Sequence, residues 1–322
     1  MFTIDRRALL RMTAAATAVA ATSAFAQKGR PIRLIVGFPP GTAPDTVARM
    51  FAQRLGENLQ QSVVVENVPG AGGLIAARQA IRSTPDGETL FLNTVSDMSI
   101  APHIYNRLGY DPAQFSLISH LVYADFILAV PAKLPVRNLA EYVTWAKSQK
   151  ELFMASFGPG SPAHFGSAIF ASAFGVIVEP VHYKTTGDAM TGVLSGEIPG
   201  LFVTASLGAQ YVKDGRLRAI AVTSPQRMSD LPDVPTFAEL GHPQVTFGTW
   251  FGLAAPPNTP TDFLERMSSE ARKALQNPEL KAKLESTGFR VTGTNREEFA
   301  KIVHSEYDSW GKAARATGFK AD

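Results

Sequence analysis

The residue types that could do chemistry gather in three Gly/Pro-rich loops, and the chemistry they suit is capture of an anion. Phe38-Pro39-Pro40-Gly41-Thr42-Ala43-Pro44-Asp45 stands between an apolar run and an amphipathic stretch. A loop that feeds a helix start exposes unpaired backbone N–H groups, backed by the positive end of the helix dipole. Pro44 suits the first helical turn, where its missing N–H is not needed. Asp45 either meets a ligand or only stabilises that dipole. Pro69-Gly70-Ala71-Gly72-Gly73 precedes a second helical stretch. Its glycines permit either close backbone approach to a ligand or tight packing. It is not a phosphate loop, since no Gly-Lys-Ser/Thr follows, and its spacing is not that of a dinucleotide fingerprint. The third loop is Ser156-Phe157-Gly158-Pro159-Gly160-Ser161-Pro162-Ala163-His164. Ser156 and Ser161 offer hydroxyls beside helix-start N–H groups, and His164 either touches ligand or packs.

Catalysis lacks its usual local signatures. There is no Gly-x-Ser-x-Gly elbow and no His-Glu-x-x-His pair. The histidines, at 103, 120, 164, 182, 242 and 304, show no tight ligand spacing, and the scattered acids read as solvated helix faces. No cysteine occurs, which excludes disulfides, thiolate metal sites, a Cys nucleophile and a lipid anchor on an N-terminal Cys. The expectation is a binding protein, not an enzyme, with no cofactor and no metal.

The elements that must hold these loops alternate short apolar runs with amphipathic stretches, the α/β pattern. Ile32–Phe38, Val63–Val65 and Leu90–Leu92 read as strands. Between them, Val47, Met50, Phe51 and Leu55 share one helix face, and Leu74–Ile81 forms a second helix. The pattern resumes with strands at Phe126–Val130, Leu152–Ala155, Val178–His182 and Leu217–Val222. Helices are predicted at Leu139–Lys147, Ala163–Phe174 and Asp188–Leu194, and Thr246–Leu253 is a strand leading back to the first group. Two helices close the chain, one opened by Thr259-Pro260 and one by a Thr294-x-x-Glu297 capping box. With no flexible linker between the two groups, they form two lobes joined by crossing strands, and ligands of such sheets sit at the strands' carboxyl ends.

Export is written at the N-terminus. Arg6, Arg7 and Arg11 precede an Ala/Thr/Val stretch from Thr13 to Ala24, and Ala24-Phe25-Ala26 is a small-x-small cleavage site. The apolar run is shorter than the roughly 20 residues a membrane span needs. Of 31 basic and 28 acidic residues, removal of residues 1–26 leaves 28 and 27, so the excess of base is largely the signal's. No basic stripe suited to nucleic acid is present. The mature chain is expected to begin at Gln27 as a soluble periplasmic monomer.

Segments across most of the mature length resemble one family. They are RPIRLIVGFPPGTAPDTVAR from Arg30, VVVENVPGAGG from Val63, PDGETL from Pro85, ASFGPGSPAH from Ala155, GRLRAIAVTS from Gly215, LPDVPTFAELG from Leu231 and WFGLAAPPNTP from Trp250. In this order they are similar to the substrate-binding proteins of tripartite tricarboxylate transporters, the Bug family. The resemblance implies an α/β two-lobed periplasmic-binding-protein fold, the Venus flytrap, with its cleft between two domains. Residues 27–123 with 247–322 would form the first domain and 124–246 the second. It also implies a small organic carboxylate held by backbone amides and bridging waters, then delivered to a two-component, ion-driven membrane permease. A sensory protein that presents its ligand to a membrane kinase is the other reading. Carried over by the resemblance, the binding residues are Phe38 and Pro40 through Asp45 (Gly41, Thr42, Ala43, Pro44), Gly72, Thr94 and Ser96. From the other half come Ser156, Phe157, Gly158, Gly160, Ser161, His164, Tyr183, Thr185, Val203 and Thr204.

Three departures bear on the ligand. Thr42 replaces a second glycine, Val203-Thr204 stands where the family commonly has Asp-Asn, and Phe157 fills a position usually small and polar. With Phe157 turned to the cleft and no carboxylate at 203, the ligand would carry an aromatic or apolar body, as in benzoate- or phthalate-type acids. With Phe157 turned into its own core, an aliphatic dicarboxylate fits as well.

Overall fold

The structure, a computed structural model, describes residues 29–183 and 185–321. The expected signal segment, its cleavage site and Lys184 lie outside the described residues.

The chain opens with β1 (Ile32–Val36), α1 (Ala43–Leu59), β2 (Val63–Asn67), α2 (Leu74–Ile81) and β3 (Thr89–Thr94). A π-helical turn at Ser96–Ile100 leads into the short α3 (Ala101–Ile104) and then β4 (Ser116–Pro131). The second run is α4 (Leu139–Ser148), β5 (Leu152–Ser156), α5 (Pro162–Phe174), β6 (Val178–His182), α6 (Thr186–Leu194) and β7 (Leu201–Thr204). Then come α7 (Ala205–Lys213), β8 (Leu217–Val222), β9 (Gly248–Ala255), α8 (Thr261–Gln276), α9 (Pro278–Ser286), β10 (Arg290–Val291) and α10 (Arg296–Thr317).

Strand β4 organises both halves. Its residues Ser116–Asp125 pair antiparallel with β9, and Phe126–Pro131 pair with β7 and β8 instead. On one side the order is β2-β1-β3-β9-β4, on the other β4-β7-β5-β6. In each half a central strand, β1 or β5, lies between two parallel neighbours. Parallel strands covered on both faces read as near-continuous apolar runs, and Leu34, Ile35 and Val36 are accordingly fully buried. The loops that leave β1 and β5 therefore emerge at carboxyl ends of central strands and face each other. This is the two-lobed α/β architecture.

Several expectations need correction. Strand β4 begins ten residues before the predicted Phe126, because its first part carries Ser119 and His120. Both are buried yet satisfied from the chain's far end: Ser119 Oγ donates to the Thr294 carbonyl, and His120 Nδ1 shares a hydrogen bond with Thr292 Oγ1. The last helix is capped by Asn295 with Glu298, one residue after the predicted Thr294/Glu297 box. Thr259 does not cap α8; its hydroxyl donates to the Pro256 carbonyl. Three helices, not two, close the chain, since Asn277-Pro278 starts α9 with an N-cap and Pro at N1. Helix α7, directly after Thr204, was not predicted.

Candidate ligand cleft

The two facing loops repeat one pattern. Phe38-Pro39-Pro40-Gly41-Thr42 and Phe157-Gly158-Pro159-Gly160-Ser161 each run from a central strand to a helix. Gly41 and Gly160 take left-handed φ values of +80° and +76°, which a side chain would strain. Thr42 and Ser161 are then the N-cap residues, with nearly equal extended backbones. In both loops the glycine amide is held by the side chain four residues on. Gly41 N–H donates to Asp45 Oδ2 at 2.9 Å, and Gly160 N–H donates to His164 Nδ1 at 3.1 Å.

Behind the first loop, Asp45 is 3% exposed and fully engaged. Arg49 donates to both of its oxygens, at 3.0 and 2.9 Å, and Asn67 Nδ2 donates to Oδ1 at 2.8 Å while also reaching the Phe38 carbonyl. Burial alone would raise its pKa, but the Arg49, Gly41 and Asn67 hydrogen bonds outweigh that and hold it below the usual carboxylate range. Behind the second loop, burial, with His182 adding to it, lowers His164 to about 4. Its imidazole stays neutral, as an Nδ1 that accepts a hydrogen bond requires.

Between the loops lies a cleft of about 710 Å³, within the size range of small-molecule sites. Phe38, Pro39, Pro40, Gly41, Thr42, Ala43, Pro44 and Thr46 line one wall, with Thr94 and Ser96 beside them. Phe157, Ser161, Pro162, Ala163, Tyr183, Thr185, Thr186, Thr204, Ser206 and Leu207 line the other. Phe126, Thr249, Phe251, Thr287 and Phe289 close the back, where the strands cross between lobes. Among the described residues no charged side chain lines it. The polar groups are hydroxyls and backbone amides, including those of Ala43 and Ala163 in first helical turns, which have no intrahelical acceptor. Five phenylalanine rings supply the apolar surface.

The comparisons agree with this geometry. Residues 47–319 match the family described as tripartite tricarboxylate transporter family receptor. The chain belongs to this family. Its relative BugT of Bordetella pertussis is 29% identical over 313 residues, covering 95% of both chains. Among solved structures, an R. palustris protein with adipate superposes at a TM-score of 0.85 with 28% identity, over 91% of this chain and 99% of the other. MatC from Rhodopseudomonas palustris with bound malate gives 0.81 and 26%, over 88% and 99%. The receptor fold of the family is thus that of this chain. Among the described residues no helix is long and apolar enough to cross a membrane.

Of the predicted receptor residues, Phe38, Pro40, Gly41, Thr42, Ala43, Pro44, Thr94, Ser96, Phe157, Ser161, Tyr183, Thr185 and Thr204 line the cleft. Asp45 and His164 stand behind it as struts. Ser156 is also behind, buried, with Oγ 2.6 Å from His182 Nδ1. Gly158 and Gly160 shape the loop without lining the cleft; a Cβ at Gly160 would come within 2.4 Å of Ile104 Cδ1 from the other lobe. Gly72 is likewise outside, and its neighbour Gly73 packs so tightly that a Cβ on Gly37 would meet its Cα at 2.6 Å. That motif serves packing. Val203 is 0% exposed and turned into the core of its own lobe with Ile127 and Leu201, so it says nothing about a ligand amine. Phe157 does line the cleft, though it also leans on both cores.

Sequence reasoning missed Phe126, Thr249, Phe251, Thr287 and Phe289. Strand register holds a signal for some of them: Thr94 pairs directly with Phe251 across β3 and β9, and Thr249 follows on the same face of β9. A further acid, Asp97, lies behind Thr94. It is 1% exposed, and burial pushes its pKa up to about 7 against the opposing hydrogen bonds from Thr94.

Proposed function

We propose that this receptor captures a small organic carboxylate with an apolar body, in the periplasm, for delivery to a two-component membrane permease. One observation carries the reading: a cleft with no charged lining residue among those described, two helix starts aimed into it, and five phenylalanines around it. Neutral donors and bridging waters suffice for a carboxylate. A ring or methylene chain would rest among Phe38, Phe126, Phe157, Phe251 and Phe289. An aromatic ligand gains about 0.5–1.5 kcal/mol from ring pairing beyond burial. The adipate and malate seen with relatives support the carboxylate class, and adipate's methylene body suits this cleft better than malate's hydroxyl. The reading takes residues 1–26 as a cleaved signal, residues 27–123 with 247–322 and residues 124–246 as the lobes, and the mature protein as a monomer without catalytic activity.

A thermal-shift screen tests it. Benzoate, phthalate and adipate are expected to raise the melting temperature in a concentration-dependent way, as any ligand of the native state does. Stabilisation by citrate and aspartate, with none from those three, would overturn the apolar-body reading. Mass spectrometry of material that copurifies with the native protein then identifies the acid.

A further inference from the structure

Asp97 has no role in the site so far, yet it sits directly behind the cleft wall. It follows β3 in the π-helical turn, and among the described residues its carboxyl is hydrogen-bonded by Thr94, which lines the cleft. Thr94 N–H donates to both carboxyl oxygens at 3.0 Å, and Thr94 Oγ1 donates to Oδ2 at 2.8 Å. The side chain lies under the Gly70–Gly73 turn, where a Cβ on Gly73 would be 3.6 Å from Oδ2 and 3.4 Å from the ring of cleft-lining Phe38.

A threonine hydroxyl has one proton to give. While Asp97 is ionised, that proton points backward at the carboxylate and Thr94 offers the cleft lone pairs only, which repel an anionic ligand. When Asp97 is protonated the hydrogen bond reverses: Oδ2–H donates to Thr94 Oγ1, and the threonine proton is free to turn toward the cleft. The same protonation removes a buried negative charge from behind the anion's binding wall. Both effects have one sign.

We propose that Asp97 is a proton-linked positioning residue, and that the cleft holds a carboxylate tightly only with Asp97 protonated and Thr94 free to donate into it. The inference rests on the carboxylate reading above. The shift of this acid toward neutrality supports it, since the switch would then work near physiological pH. Ionisable groups on the elements packed around Asp97 are occupied elsewhere. Tyr110 OH donates to the Asp97 carbonyl, Arg78 to the Leu108 carbonyl, and His103 Nε2 is bonded to the Tyr307 carbonyl. Asp111 caps its own turn, and Glu306 accepts from Tyr123 and Trp310. Among the described residues none of these hydrogen-bonds the Asp97 carboxyl, although burial and then the Asp97 charge raise the pKa of Tyr110.

Two measurements test it. In the ligand-free protein, carbon-13 NMR should show the Asp97 carboxyl and the Thr94 amide titrating together near neutrality. A carboxyl that stays ionised down to about pH 5, as an ordinary aspartate does, overturns the switch. Calorimetry with benzoate and adipate, both ionised between about pH 6.5 and 8.5, should show proton uptake on binding and affinity falling by up to about tenfold per pH unit. Asp97→Asn, whose amide N–H donates to Thr94 Oγ1 as the protonated acid would, should bind at the low-pH affinity throughout, and Thr94→Val should bind weakly at both ends. A wild-type affinity that is flat with pH, or one that falls equally in Asp97→Asn, overturns the proposal. If neither acid binds at any pH, the carboxylate reading fails, and the ligand-free titration alone decides the switch.

Discussion

Gly41 and Gly160 hold the same station in loops of like backbone, and each spends its N–H on the side chain four residues later. The first loop uses a carboxylate for this, locked by Arg49 and Asn67 into a network of charge-assisted bonds. The second uses a neutral imidazole stacked edge-on against His182 and Phe319. The caps differ as well. Ser161 Oγ accepts from the His164 N–H, whereas Thr42 makes no side-chain cap bond and its hydroxyl donates to the Pro39 carbonyl. One loop conformation is thus reached by two chemistries, one ionic and one not. The conformation is the shared requirement, because it leaves helix-start amides open toward the cleft while the glycine amide is satisfied from behind.

The sharpest way to break this parallel is Asp45→Ala. It removes the carboxylate that accepts from Gly41, Asn67 and Arg49, and hydrogen bonds to a charged group are worth about 1.5–3 kcal/mol each. Denaturant unfolding should show a loss of that order, with Asp45→Asn recovering part of it. The glycines should separate next. Gly41→Ala meets no atom within 4 Å, so it costs only the left-handed strain of about 1–2 kcal/mol. Gly160→Ala adds a collision with buried Ile104, so it should be the more destabilising of the two, and Ile104→Val should relieve the excess. The smallest effect is the titration of the second loop. The depressed pKa of His164 means that its neutral form stabilises the fold above the ordinary value of 6.5, and that this contribution is lost as pH falls through about 4. His164→Asn, which keeps an acceptor near the Nδ1 position and cannot take that proton, should flatten the acid limb of the stability curve. Asp45, held below the usual range, should yield only at still lower pH.

Much of this was legible in the chain. The Gly/Pro loops named the cleft's two lips, because the backbone conformations they need are ones that few other residues adopt. Helix Leu74–Ile81 came out at its observed ends, and those at Leu139, Ala163 and Asp188 within two residues of theirs. What stayed hidden depended on distance along the chain. Phe251 and Phe289 join Phe38 only after β9 has crossed back between the lobes, and nothing local marks a phenylalanine as cleft rather than core. Val203 misled for the converse reason, since the resemblance placed it in the cleft while the alternation of a strand turned it inward. Asp97 lay in a polar run, Ser96-Asp97-Met98-Ser99, that reads as surface; only the packed turn shows it buried. Helix α9 was missed although Asn277 caps it and Pro278 stands in its first turn, because it follows α8 with no loop between them.

The pairing of β3 and β4 with β9 has a consequence for the order of assembly. Phe91 lies beside Ala254, and the near half of β4 takes both its neighbours from residues 248–255 and 290–291. A chain that has not yet extended past Val291 does not have those partners to offer. The first lobe's sheet can therefore be completed only when almost the whole polypeptide is available to fold, and its closure over such long loops is intrinsically slow.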